Sequence, residues 1–257
     1  MEHEIRGSDL FSLVNKKILV TGAGRGLGRA MAEGLAGAGG TVALMSRSSD
    51  QVEQVASRIG QGAVPVAGDV ASQDVGELVD RVESAVGGPI DVVLHAAGVQ
   101  HRQPAENFSS LEWDRVLSIN LTAPFRISQE IGRRQLDASM EGSHIFIGSL
   151  TSSQSVPDVV AYTASKAGIV GAMRNLSTEW SGSGVRANAI GPGYFRTELT
   201  EAVFSDPVRY QQMLDRIPMK RFGNPHELVG AAVFLASQAS SYVTGQLLMV
   251  DGGWTSR

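Results

Sequence analysis

The chain contains no cysteine, which excludes disulfides and every thiolate metal site and fits a reducing compartment. No stretch reaches about 18 uncharged apolar residues, and Met1-Glu2-His3-Glu4-Ile5-Arg6 is not an apolar leader, so neither a membrane span nor a secretion signal is expected. The formal net charge is -4 with no block of like charges, which removes nucleic acid and a basic membrane-binding face from the expected partners. The five histidines form no metal-ligand spacing. Linkers, low-complexity tracts and repeats are missing too. What remains is a cytoplasmic protein whose partner is a small molecule.

At 257 residues, 42% hydrophobic and with 30 glycines, the chain is long enough for one large α/β domain. Short apolar runs alternate with helix-period segments. Lys17-Ile18-Leu19-Val20-Thr21 is followed by a glycine turn and a helix to Ala38. Strands predicted over 41–45, 63–67 and 91–95 alternate with helices over 50–59 and 75–86. Further on, helices are expected at 111–118, 122–140, 161–180 and 227–236, and strands at 144–148, 185–190 and 247–250. This alternation predicts a Rossmann-type doubly wound parallel sheet with helices on both faces. Residues 1–15 read as an N-terminal segment anchored through Leu10-Phe11-Ser12-Leu13, and 16–257 as the domain, with a helical substrate-loop insertion at about 194–220.

The first strand runs into Gly22-Ala23-Gly24-Arg25-Gly26-Leu27-Gly28. Glycines 22, 26 and 28 permit a tight turn and close backbone approach, so that a pyrophosphate can rest on the N-terminus of the following helix. Asp69-Val70 and Ala97-Gly98 end neighbouring strands on the same carboxyl edge. At the end of the second strand, where NAD recognition places an acid, the chain has Ser46-Arg47. With Arg25 in the glycine loop, that favours the 2'-phosphate of NADP, while NAD stays an alternative.

Tyr162 and Lys166 are four apart on a predicted helix and so share a face. An ammonium beside a phenol favours the phenolate and lowers its pKa from about 10, enabling proton exchange with a substrate oxygen. Ser149 follows an apolar strand that would deliver its hydroxyl to the same oxygen. Alone, a Tyr-x-x-x-Lys spacing is a common accident of solvated helices.

Taken together, Thr21-Gly22-x-x-x-Gly26-x-Gly28, Asp69, Ala97-Gly98, Asn120, Ser149, Tyr162, Lys166, Pro192-Gly193 and Thr197 give the chain a resemblance to the short-chain dehydrogenase/reductases over 17–253. The resemblance implies Tyr162 as acid/base, Ser149 as substrate-oxygen partner, and Lys166 as pKa tuner and ribose contact. It implies that Asn120 holds a water linking Lys166 to solvent, that Asp69 and Val70 contact adenine, and that Pro192, Gly193 and Thr197 hold the nicotinamide end. It also implies a homotetramer, for which small residues on helix 161–180 would allow close approach. The family's usual Asn-Asn-Ala-Gly is His95-Ala96-Ala97-Gly98 here, and His95 reads as a buried, hydrogen-bonded structural residue. Several stretches, among them Gly98-Val99-Gln100-His101-Arg102 and Pro192-Gly193-Tyr194-Phe195-Arg196-Thr197-Glu198, are similar to the sugar-acid branch, the gluconate 5-dehydrogenases and 2-deoxy-D-gluconate 3-dehydrogenases. Arg102 is then a candidate carboxylate clamp. A 3-oxoacyl-carrier-protein reductase and a dinucleotide sensor without turnover are the competing readings.

Overall fold

The structure, a computed structural model, describes residues 7–72, 74–196 and 206–256. Seven parallel strands form one sheet: β1 (Lys17–Thr21), β2 (Thr41–Ser46), β3 (Ala63–Ala67), β4 (Val92–His95), β5 (Gly142–Ile147), β6 (Val185–Pro192) and β7 (Leu247–Val250). Their order is β3-β2-β1-β4-β5-β6-β7. Pro65 lies inside β3, which is tolerated because β3 is an edge strand and needs no donor on its open side. The order reverses between β1 and β4, and a doubly wound sheet opens its ligand crevice at such a point, at the carboxyl ends of the strands.

Alternation along β1 shows how the two faces are filled. Ile18 and Val20 join a cluster with Leu35 and Leu235, while Leu19 between them joins Val79, Val93 and Ile127 on the opposite side. All three are fully buried, and each such side chain contributes about 1.5–3 kcal/mol relative to exposure. The helices that cover the sheet are α2 (Gly26–Gly37), α3 (Ser49–Ile59), α4 (Val75–Val86), α5 (Ser110–Leu117), α6 (Ala123–Asp137), α7 (Val160–Trp180) and α9 (Val229–Ala236). A short α1 (Gly7–Leu10) precedes them, and α8 (Pro207–Arg216) lies in the expected insertion. Of the N-terminal anchor, Leu13 is fully buried, whereas Phe11 is exposed and meets Phe234 at 6.4 Å between ring centroids.

Two expected helices turn out to be one. A π-turn over Ser118–Thr122 joins α5 to α6 without a break. The cause is Pro124 at the start of α6: it has no N–H to give the Asn120 carbonyl, and its ring would press on that carbonyl in a regular helix. The wider turn relieves the clash and sets Asn120 apart from its neighbours. No described helix is long and apolar enough to cross a membrane.

Beneath the sheet's carboxyl edge lies a buried polar chain that links α6, β4 and β5. Gln135 gives its amide N–H to the Ile90 carbonyl at 2.8 Å, so its oxygen faces His144 Nε2 at 3.0 Å and must accept. Burial depresses the His144 pKa to about 3, leaving the ring neutral with its one proton on Nε2. Its Nδ1 therefore accepts from Ser128 Oγ at 3.0 Å, and Ser128 accepts in turn from His95 Nε2 at 2.7 Å. His95 stacks on Phe146 at 4.9 Å. It is the structural histidine its sequence position suggested. The remaining His95 Nδ1 is a bare lone pair, buried without a protein partner.

Candidate active site

At the switch point a cleft of about 680 Å³ opens between the glycine loop and α7. It takes in Gly22, Arg25, Gly26, Leu27 and Gly28, Ser46-Arg47, Asp69-Val70, Ala97-Gly98, Arg102, Ser149, Tyr162, Lys166 and Pro192-Gly193. Thr197 lies outside the described residues. Asn120 does not line the cleft but supports its wall.

The glycine loop has the shape its composition requires. Gly22 and Gly26 take φ values of 69° and 56°, in the region that favours glycine. A Cβ on Gly22 would stand 2.6 Å from the Ala97 nitrogen, and one on Gly28 would collide with the Gly22 carbonyl. The first turn of α2 therefore lies tight against β1 and β4 with its N–H groups at the cleft. Such a cradle of small residues and helix N–H groups fits a dinucleotide pyrophosphate.

At the end of β2, Ser46 Oγ donates to the Ser48 carbonyl at 2.8 Å. Arg47 is exposed, and among the described residues no carboxylate lines the cleft at this end except Asp69. The Asp69 Oδ1 accepts from the Ala71 N–H at 2.9 Å, so its carboxylate is turned into its own loop. Gln51, in the first turn of α3, also reaches this end of the cleft and lies against Gly24. Sequence reasoning passed over it, since a glutamine three residues into a helix carries no distinctive signal.

The second half of the cleft is built from the loop after β5 and from α7. Ser149 caps the short turn Leu150–Ser152, its Oγ accepting from the Thr151 N–H at 3.1 Å. Its own N–H donates to Ser152 Oγ at 3.1 Å, and the Ser152 hydroxyl donates to the Lys166 carbonyl at 2.9 Å. Ser152 thus joins the serine loop to the helix that carries Tyr162 and Lys166. The serine spaced three after Ser149 is a capping-box signal that the sequence offered and that went unused.

Tyr162 is half-buried and lines the cleft together with Ser149, which acts on its phenol. Burial pushes its phenol up, partly offset by Ser149, while the neighbouring Tyr194 adds to the rise. The expectation that Lys166 depresses this pKa is therefore corrected. Lys166 Nζ sits 5.6 Å from the Tyr162 ring centroid and spends itself on the Ile147 carbonyl at 2.7 Å. Its own pKa falls to about 8 through burial. Desolvation outweighs mutual attraction because each charge would be formed in a nearly dry environment.

Asn120 Nδ2 donates to the Val99 carbonyl at 2.9 Å and to Ser165 Oγ at 3.1 Å, and its Oδ1 accepts the Val99 N–H at 2.9 Å. Its side chain holds the loop after β4 against α7. Gly193 donates to the Val250 carbonyl at 2.9 Å, and a Cβ there would lie 2.6 Å from Asp251 Cα. No cluster of metal-ligating side chains occurs among the described residues.

The glycine cradle at a β1/β4 switch point, with Ser149, Tyr162 and Lys166 converging on its far end, matches a family model described as enoyl-(acyl carrier protein) reductase over residues 22–255. The chain belongs to the short-chain dehydrogenase/reductases. It is an oxidoreductase of the class that acts on CH–OH groups with a nicotinamide cofactor. A gluconate 5-dehydrogenase of Gluconobacter oxydans (strain 621H) is 40% identical over 251 residues, covering 96% of this chain and 97% of the relative. A 2-dehydro-3-deoxy-D-gluconate 5-dehydrogenase of Bacillus subtilis (strain 168) is 39% identical over 256 residues, covering 97% and 98%. Among solved structures, a gluconate 5-dehydrogenase from Burkholderia cenocepacia J2315 in complex with NADP and tartrate superposes with a TM-score of 0.93 at 35% identity, covering 98% of this chain and 100% of the other.

Proposed function

We propose that this protein interconverts the secondary alcohol and ketone of a sugar acid of the gluconate type, with NADP preferred over NAD. The observation that carries the reaction is the convergence of Ser149, Tyr162 and Lys166 in one cleft with the glycine loop. NADP, when bound, supplies or accepts the hydride. The protein handles the oxygen and its proton. In reduction, Ser149 Oγ donates a hydrogen bond to the carbonyl oxygen, and Tyr162, which burial keeps protonated at neutral pH, passes its proton to that oxygen. In oxidation the phenolate takes the proton back. Lys166 positions the ribose side of the cleft and, when protonated, stabilises the phenolate. Thr197 is assigned to the nicotinamide end, Asp69-Val70 to the adenine, and Asn120 to holding the loop and a solvent link to Lys166.

The NADP preference rests on Ser46 and Arg47 at the end of β2, with Arg25 in the loop opposite. The sugar-acid substrate is supported by the relatives' names and by Arg102 at the mouth of the cleft. A cytoplasmic homotetramer completes the reading. Of the small residues on α7, Ala161 is buried and Gly168 packs on Leu121 within one chain, but Ala167 and Gly171 remain exposed for a partner helix. Light scattering at micromolar concentration checks the tetramer.

A panel of 5-ketogluconate, gluconate, a simple ketone and an oxoacyl thioester, each with NADPH and NADH, tests the reading. Efficient turnover of the sugar acids with NADPH is expected. Preference for the thioester makes the enzyme an acyl-carrier reductase, and binding of NADPH without turnover of any substrate makes it a dinucleotide sensor.

A further inference from the structure

The middle glycine of the loop, Gly24, has no conformational need to be glycine, since its φ lies outside the left-handed region that Gly22 and Gly26 occupy. It is glycine for space. A Cβ there would stand 2.8 Å from Gln51 Oε1, 3.0 Å from Gln51 Cβ and 3.2 Å from Ser46 Oγ, and the Gln51 Cβ, fixed to its helix, cannot swing away. The Gln51 carboxamide and the Ser46 hydroxyl therefore meet over one backbone position, where the glycine loop passes the end of β2. Both residues line the cleft, at the strand end where a doubly wound fold reads the 2' position of the adenosine ribose.

The hydrogen bonds already made at this end divide the work. Ser46 Oγ gives its proton to the Ser48 carbonyl at 2.8 Å, so it offers a ligand only lone pairs. A 2'-phosphate, whose oxygens accept, finds no donor in it. Gln51 is half-buried in the first turn of α3, and among the described residues its carboxamide has no hydrogen-bond partner. That group carries a donor and an acceptor at the same reach, and a turn about its last bond exchanges them. Asp50, next to it in the chain, does not line the cleft.

We propose that Gln51 is a specificity-determining residue that contacts the 2' substituent of the cofactor's adenosine ribose. Its Nε2 donates to the 2'-phosphate of NADP, and with the amide turned its Oε1 accepts from the 2'-hydroxyl of NAD. Gly24 leaves room for that turn. Gln51 thus adds grip on either cofactor, and the bias between them falls to the charge of Arg47. This rests on the dinucleotide reading of the cleft and adds a residue from α3 to it.

Calorimetry of NADP+ and NAD+ binding to the full-length protein, without substrate, is the test. Gln51→Met keeps the length and loses both polar atoms, so NADP+ should weaken by about 10-fold and NAD+ by about 2- to 10-fold, the worth of a hydrogen bond to a charged and to a neutral group. Gln51→Glu keeps the acceptor and loses the donor. NADP+ should then weaken further than in Gln51→Met, while NAD+ binds at least as tightly as to the parent, which also shows that the variant is folded. Because Gln51 carries no charge, the salt dependence of NADP+ binding should be unchanged in Gln51→Met and flattened in Arg47→Ala. NADP+ affinity within about twofold of the parent in Gln51→Met, or equal weakening of both cofactors in Gln51→Glu, overturns the contact. A parent that binds NAD+ more tightly than NADP+, and loses NAD+ in Gln51→Met, overturns the NADP preference while leaving the Gln51 contact standing.

Discussion

The Ser152 hydroxyl donates to the Lys166 carbonyl while accepting the Ser149 N–H, so one side chain sets the spacing between the serine loop and the catalytic helix. Ser152→Ala leaves the Ser149 N–H without this acceptor, at a cost of about 1–3 kcal/mol if the group stays dry. A fall in kcat of roughly tenfold is expected, with NADPH affinity unchanged. Ser152→Thr, which keeps the hydroxyl, should restore most of the rate. Steady-state kinetics of the two variants checks it, and equal losses in both would show that bulk rather than the hydrogen bond matters.

Tyr162→Phe removes the proton donor and little else. Turnover should drop by about 10²- to 10⁴-fold, while NADPH binding measured by fluorescence stays near the parent value. Activity within a few-fold of the parent would remove Tyr162 from the mechanism.

The pH dependence of the two directions should differ. Because burial raises the Tyr162 pKa above its ordinary value of 10.0, the phenol needed for reduction persists throughout neutral pH. The phenolate needed for oxidation is scarce there. Oxidation of gluconate should therefore climb with pH into the alkaline range while reduction stays flat. Rate profiles in each direction decide it, and a plateau in oxidation below pH 8 would show that a bound ligand has reversed the effect of burial.

Acid should destabilise the protein through His95 and His144. Both pKa values are depressed in the folded state, that of His144 to about 3, against an ordinary value of 6.5. Between those limits the unfolded chain binds more protons than the folded one, so stability rises with pH and is lost as pH falls below 6.5. At pH 5 His144 should cost about 2 kcal/mol, and His95 adds to the loss in the same direction. His95→Asn, with a side chain that does not titrate, should lose correspondingly less between pH 7 and 5 in urea unfolding.

Arg47→Ala should lower NADPH affinity by roughly 10- to 150-fold, the worth of one charge-assisted hydrogen bond, and leave NADH nearly untouched. Adding Ser46→Asp should invert the preference, because repulsion then joins the lost attraction. Catalytic efficiencies with both cofactors make the comparison. A parent that already favours NADH would make Arg47 a surface residue.

The layout of the sheet and most of the cleft were legible because their signals are local. Glycine spacing in 22–28, the apolar runs of the strands and the Tyr162–Lys166 interval each declare themselves within a few residues. Other features depend on distant partners. The depressed Lys166 pKa follows from burial, and its ammonium is bound by the Ile147 carbonyl, neither visible from an i, i+4 spacing. Arg216, Gln154 and Trp254 meet only because α8, the serine loop and the chain's end fold together. The π-turn was hidden for a different reason: 118–122 reads as the junction of two helices, and the chain instead widens one turn ahead of Pro124 to keep going.

The buried polar chain below the cleft has a direction. Ile90 offers a backbone carbonyl near the start of β4, an oxygen that has no proton to give. From that fixed point each group can orient its proton only one way, through Gln135, His144 and Ser128 to His95. The sheet thereby encodes at one end which nitrogen of an imidazole stays bare at the other. Reversing the Gln135 amide would turn every arrow in the row and place a proton on the buried His95 Nδ1 without moving a heavy atom of the histidine.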